Sequence, residues 1–276
     1  MSHENLGNQL YRIMKSAGAS LFEQGELAQL TYRAFDIAVR DLQANAQEEI
    51  ELKYPVGYRP DRTAIEASKK YRKDELINRY QFLAFHQLSI NALIKLVTIV
   101  EAALGDIIRA VVIRYPEKLG NKRTVPLQLV FKATSIEEIH LQATDTLLMD
   151  LSYKSPSEFA EAVEPLLSIQ LLECPAFHKY VEIKAARDIF IHNRGVANDI
   201  YIRKAGSHAR VKPGMVLPID LQYFLESYES CLQVMEWLET KLHECWHSSE
   251  LEDYRNGQIK LPLTPALGEP KPEESS

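Results

Sequence analysis

The chain has 276 residues, 46% of them hydrophobic and 25% charged, so it can fill a core without disulfide support. Only 11 residues are glycine, well under the roughly 7% of average proteins, which argues against a glycine-rich nucleotide fold or an all-β sandwich and for long helices. A net charge of −6 excludes a chain that is polycationic throughout, so any contact with a polyanion must be local.

In chain order, residues 1–53 read as an amphipathic helical arm or hairpin, with Leu10, Ile13, Met14 and Ala17, then Leu27, Leu30, Ala34, Ile37, Ala38 and Leu42 at three- and four-residue intervals. Two prolines and a glycine between Tyr54 and Asp61 break any helix, and 54–73 is expected to be a linker and helix entry. From Asp74 to Tyr115 the pattern is helical, with a break near Ser89 to Asn91 and an apolar circumference from Leu93 onward that suits a central helix of a bundle. Pro116 ends it, and Gly120 to Pro126 reads as a loop. Capping boxes at Thr134-Ser-Ile-Glu137 or Ser135-Ile-Glu-Glu138, and at Ser155-Pro-Ser-Glu158, open two further helices; Pro165 limits the second.

A helix from Ala176 to His192 is expected to end at Asn193-Arg-Gly195, where glycine supplies a left-handed turn. Between Asp199 and Ile219 the pattern predicts a loop or short hairpin, and Leu221 to Trp246 a last amphipathic helix. The segment 257–276, with four prolines and an acidic close, reads as disordered. Cys174, Cys231 and Cys245 lack metal-ligand spacing and suit a reducing compartment. No basic region followed by an apolar run opens the chain, and the longest charge-free stretch, Gln81 to Ile94, is too short to cross a bilayer. The expectation is a cytoplasmic protein with no membrane partner and no cofactor.

The chemistry-bearing segment is Val181 to Gly195. It holds Arg187 and, five residues later, His192 in the last turn, where the helix end favours a cation. Arginine matches phosphate oxygens and histidine exchanges protons near neutral pH, which together suffice to cleave RNA without metal. Five helical positions turn through about 140°, so the two side chains do not share a face of an unbroken helix. From Lys184 to Lys212 seven Lys or Arg stand against Asp188 and Asp199, seven minus two leaving +5 inside a chain of −6. An Arg and a His spaced like this are also common as capping or solvated surface groups.

Arg187-Asp188-Ile-Phe-Ile-His192 resembles the signature of the HEPN superfamily, an arginine, a polar residue, three intervening residues and a histidine. His192 to Tyr201 is similar to the motif extension of its RiboL-PSP-HEPN branch, and Ile99 to Leu119 resembles the first core helix of such domains. The likeness covers roughly residues 75–245. It implies an all-α HEPN-like helical bundle over 74–256, here with an extra N-terminal arm and a short loop or hairpin insertion after the motif helix. It also implies a homodimer in which two Arg/His pairs form one composite site, and in many members a metal-independent endoribonuclease that leaves 2′,3′-cyclic phosphate and 5′-OH ends.

Toxin action, stress response or phage defence, with an antitoxin or regulatory protein as a further partner, is the setting the family suggests. On this reading Arg187, His192 and Asp188 are catalytic, and Lys184, Asn193, Arg194, Asn198, Tyr201 and Arg203 are candidates for RNA contact. Glu101, a lone acid in an apolar stretch, either orients Arg187 or is a surface or dimer-contact acid. Tyr201 is alternatively packing, and Arg194 alternatively a helix-end group. The leading alternative is a non-catalytic module of the same family that binds RNA, nucleotide or protein. His243-Glu-Cys-Trp-His247 matches the HExxH zinc-peptidase pattern and makes zinc hydrolysis a second alternative, weakened by the absence of a preceding sheet and of the usual third ligand.

Overall fold

The computed structural model describes residues 5–120, 124 and 126–257. It is mostly helical, as expected, with one two-stranded sheet among the described residues. The tail beyond Gly257 and most of the Gly120–Pro126 loop lie outside them.

The first helix, α1 (Leu6–Ala44), is a single 39-residue rod. Its Asn5 cap accepts a hydrogen bond from the Gly7 amide at 2.8 Å. It is not a detached arm: Leu6, Leu10, Met14, Leu21 and Ala28 belong to the main core, and the helix packs on α3 and α9. The second half of the predicted stripe emerges, with Leu27, Leu30 and Ile37 exposed.

The segment read as a linker is an antiparallel hairpin, β1 (Glu49–Tyr58) and β2 (Ala64–Arg72). Most of its residues are exposed, yet β1 carries a two-residue alternation, Ile50, Leu52, Tyr54 and Val56 standing between Glu49, Glu51, Lys53 and Pro55, and Ile50 and Leu52 are partly buried. Pro55 sits beside the register shift between Pro55 and Gly57, the kind of bulge where a strand tolerates proline. The Tyr54 hydroxyl donates to that of Tyr71 across the pair at 3.0 Å.

Helix α2 (Lys73–Phe82) runs through one π-helical turn, Leu83–Leu88, into α3 (Ser89–Arg114), so the chain stays helical through Ser89 to Asn91, where a break was expected. α3 is the axis of the bundle, with Leu93, Leu96, Val97, Val100, Ile107, Ile108, Val111 and Val112 all buried. After the short α4 (Leu127–Lys132), whose Leu127 and Phe131 are exposed, α5 (Ile136–Ser152) and α6 (Pro156–Leu167) pack against α3. Ser135 is the cap that the structure selects for α5, and the Ser155/Glu158 box is complete. α6 continues two residues past Pro165 and stops at left-handed Ser168.

α7 (Phe177–His192) packs on α3 and α9. Of the loop or hairpin expected over 199–219, the first part is instead a helix, α8 (Asp199–Ala205), capped by Asn198, while 209–219 is loop, with strand character reduced to a bridge between Val196 and Val216. The last long helix is α9 (Leu221–Cys245), followed by a short α10 (Ser249–Arg255).

Two glycines of α1 differ in what a Cβ would meet. At Gly7 it would lie 2.1 Å from the His247 carbonyl oxygen and 2.5 Å from that of Trp246, whereas at Gly18 nothing stands within 4 Å. Gly7 therefore sets how closely α1 approaches the end of α9. Gly7→Ala is expected to lower stability by about 1–3 kcal/mol through overpacking against backbone. Gly18→Ala should raise it by roughly 0.5–1 kcal/mol through helix propensity, both read as shifts in the urea unfolding midpoint.

Candidate functional site

α7 carries two sets of polar side chains that face different surroundings. Inward, Glu182 is fully buried, and its two carboxylate oxygens accept hydrogen bonds from the hydroxyls of Tyr201 on α8 and Tyr223 on α9, both at 2.8 Å. Burial, and after it the negative charge of Glu182, pushes the Tyr223 hydroxyl well above the usual range. Tyr201 is raised too, chiefly by burial and then by Glu182, partly offset by the Arg210 amide that donates to its oxygen at 3.2 Å. Both hydroxyls thus keep their protons and act as donors. The Arg210 guanidinium lies 3.6 Å from the centre of the Tyr223 ring and roofs the network.

The second set is a partly exposed cluster at the α3–α7–α8 junction. Glu101 of α3 is ion-paired to both Lys184 and Arg187, one carboxylate oxygen to each. Arg187 Nη1 lies 3.0 Å from Asp188, whose other oxygen is 3.3 Å from Lys204 Nζ. The Arg187 side chain is only 13% exposed, and its Nε is buried without a hydrogen-bond partner. Burial pushes the Lys184 ammonium below the ordinary lysine range, with Asp188 opposing. The acid on the apolar central helix therefore contacts the arginine of the motif, as one of its two readings anticipated.

His192, in the last turn of α7, is exposed. Asn193 and the turn after it shape the exit: Asn193 Nδ2 donates to the Val196 carbonyl at 2.6 Å, and Arg194 (φ 53°) and Gly195 (φ 78°) are both left-handed. A Cβ at Gly195 would lie 2.6 Å from the Phe190 ring, so glycine is required there by packing as well as by φ. Arg194 and Arg203 are exposed and accessible to a partner.

Two candidates for RNA contact are corrected. Tyr201 is 1% exposed and is occupied by Glu182, and the Asn198 side chain caps α8 by accepting from the Tyr201 amide at 2.9 Å. Both are structural because the segment is a helix rather than an open loop. Sequence reasoning missed Lys204, which lies beside the motif only because α8 folds back on α7, and Glu182, for which a lone acid in Val181-Glu-Ile183 was the available signal.

In the HECWH string, ligand atoms of His243, His247 and Glu252 lie within 4.8 Å of one another, Glu252 being supplied by α10. His247 Nε2 is 3.0 Å from Glu252, while His243 Nδ1 accepts from the Ser248 amide at 3.1 Å. Glu244, which a zinc peptidase would use as general base, is instead paired with Lys241 at 2.7 Å. No protein-family model, curated protein or solved structure matches the chain.

The Glu182 network generates a test. Tyr201→Phe and Tyr223→Phe should each cost about 1.5–3 kcal/mol, the worth of a hydrogen bond to a charged group. The double variant should cost more than the two together, because it leaves the carboxylate buried with neither donor; urea unfolding of all four proteins gives the coupling.

Proposed function

We propose that the protein is a metal-independent endoribonuclease of HEPN type, acting as a homodimer through Arg187 and His192. The observation that supports this reading most directly is the grip of Glu101 on Arg187. It fixes a guanidinium on the helix that also presents an exposed histidine one turn and a half later. A carboxylate that orients a phosphate-binding arginine is what positioning of the transition-state charge requires.

In this mechanism His192 accepts the proton of a ribose 2′-OH, and the oxygen attacks the adjacent phosphorus in line. Arg187 donates to the non-bridging oxygens as their charge builds. The P–O5′ bond breaks, and the leaving 5′ oxygen takes a proton from a second imidazole, giving 2′,3′-cyclic phosphate and 5′-OH. One chain offers one such histidine, about 140° round the helix from its own arginine. The second copy supplies the other. Lys184, Arg194 and Arg203 hold flanking phosphates, Asn193 keeps the exit turn in shape, and Asp188 shares Arg187 with Glu101.

A second reading, a non-catalytic module that binds RNA, nucleotide or protein, is favoured by one feature. Two carboxylates contact Arg187, which is largely buried, so part of its charge is already spent.

Single-stranded RNA incubated with the purified protein in excess EDTA decides between them. The expected result is cleavage with cyclic-phosphate ends, slowed about 10²–10⁴-fold in both Arg187→Ala and His192→Ala at unchanged circular dichroism. Cleavage that EDTA abolishes, or that survives both substitutions, overturns the enzyme reading. Saturable RNA binding without cleavage selects the module.

A further inference from the structure

Beside the charged cluster lies a cavity of about 270 Å³ between α3, α5, α6 and α7. Its walls are apolar, including Leu104, Ile108, Leu148, Phe159, Phe177 and Val181. Charge is confined to a few side chains, Lys154, Lys184 and Lys204 against Glu101. The volume exceeds the roughly 150 Å³ of an apolar cavity able to hold benzene. It stands just below the range of about 300–1,000 Å³ typical of small-molecule pockets.

The cavity is kept open at a cost. Gly105 lines it from the middle of α3, where glycine is worth about 1 kcal/mol less than alanine. Close packing does not demand it, because a Cβ built there meets nothing within 4 Å. Of the helical glycines in α1, Gly7 is explained by contact with the end of α9 and Gly25 by Tyr228 at 2.8 Å, whereas Gly18, like Gly105, meets nothing within 4 Å. What distinguishes Gly105 is its place: the absent side chain widens an apolar space lined also by Lys154, Lys184 and Lys204.

We propose that this cavity is a binding site for a small apolar anion, a medium-chain or aromatic carboxylate, with its body against Leu104, Gly105, Ile108 and Phe159 and its head group at Lys154 and Lys184. The local charge favours an anion: Lys184, Arg187 and Lys204 exceed Glu101 and Asp188 by one, and Lys154 adds another. A nucleotide is the poorer fit, since the walls offer few partners for the polar edge of a base. The site goes beyond RNA cleavage and does not depend on it. A head group at Lys184 also competes with Glu101, which ties occupancy to the grip on Arg187.

The test is calorimetric titration of the full chain with octanoate, octanol and AMP. Octanoate is expected to bind at one site per chain, octanol about tenfold more weakly for want of the charge, and AMP not to compete. Gly105→Leu, which fills the space from within, should weaken octanoate about tenfold or more. Lys154→Met should weaken octanoate and leave octanol unchanged, and it decides the matter should Gly105→Leu fail to fold. Absence of saturable octanoate binding, equal affinity for octanol, octanoate binding unaltered in a folded Gly105→Leu or in Lys154→Met, or displacement of octanoate by AMP each overturns the proposal. None of these readings involves RNA, so their failure and that of the nuclease reading are separable.

Discussion

The carboxylate of Glu182 sits in the interior with its two oxygens each taken by a tyrosine hydroxyl from later in the chain. An ionised group in such a place costs several kcal/mol unless its lone pairs are satisfied, and two charge-assisted bonds of about 1.5–3 kcal/mol each are what offset it here. α7 therefore reaches its buried position only with α8 and α9 already against it. The same contact fixes rotation. With about 100° per residue, Lys184 lies some 200° round from Glu182 and Arg187 some 140°. Locking the acid inward thus turns those two cations toward α3 and the cluster around Glu101. The orientation of the motif is set by a residue that the motif does not include.

The central helix contributes the other half of that placement. α3 is apolar around most of its circumference, and Glu101 is half-buried at the edge of its core face. An acid there needs cations, and α7 crosses with Lys184 and Arg187 one turn apart on one side. The pairing is more than a surface ion pair, because the Arg187 side chain is largely shielded from water, where exposed pairs contribute about 0–1 kcal/mol. Removing Glu101 would leave a guanidinium shielded and under-paired, with Asp188 as its remaining acceptor.

Local signals in the sequence were legible and distant ones were not. Ser135, Ser155 and Gly195 marked helix ends correctly because a cap is decided by residues three or four apart. The apolar circumference of α3 was visible for the same reason. The hairpin was missed although Ile50, Leu52, Tyr54 and Val56 alternate with polar residues and Pro55, because Pro55, Gly57 and Pro60 read as a linker and most of the two strands is exposed. Ile200-Tyr201-Ile202 looks like strand by composition, yet Asn198 caps it into a helix and Tyr201 is drawn inward by Glu182, 19 residues away. At the site, Arg187, Asp188, Lys184 and Glu101 were legible as neighbours. Lys204 was not, since its proximity depends on the fold-back of α8.

What the cluster offers an incoming anion follows from counting donors. Arginine has five N–H groups. One Nη donates to Glu101, the other pairs with Asp188, and Nε is buried, so the flat edge that grips a phosphate in bidentate fashion is already in use. A phosphate arriving at Arg187 must share the remaining Nη hydrogens or take the place of Asp188. The latter exchange is the less costly of the two possible displacements, because Asp188 keeps Lys204 as a partner, whereas Glu101 holds two cations at once. Glu101 therefore acts as the fixed anchor and Asp188 as the exchangeable one. A polar residue directly after the arginine makes physical sense here: it helps to satisfy a guanidinium that is largely shielded from water.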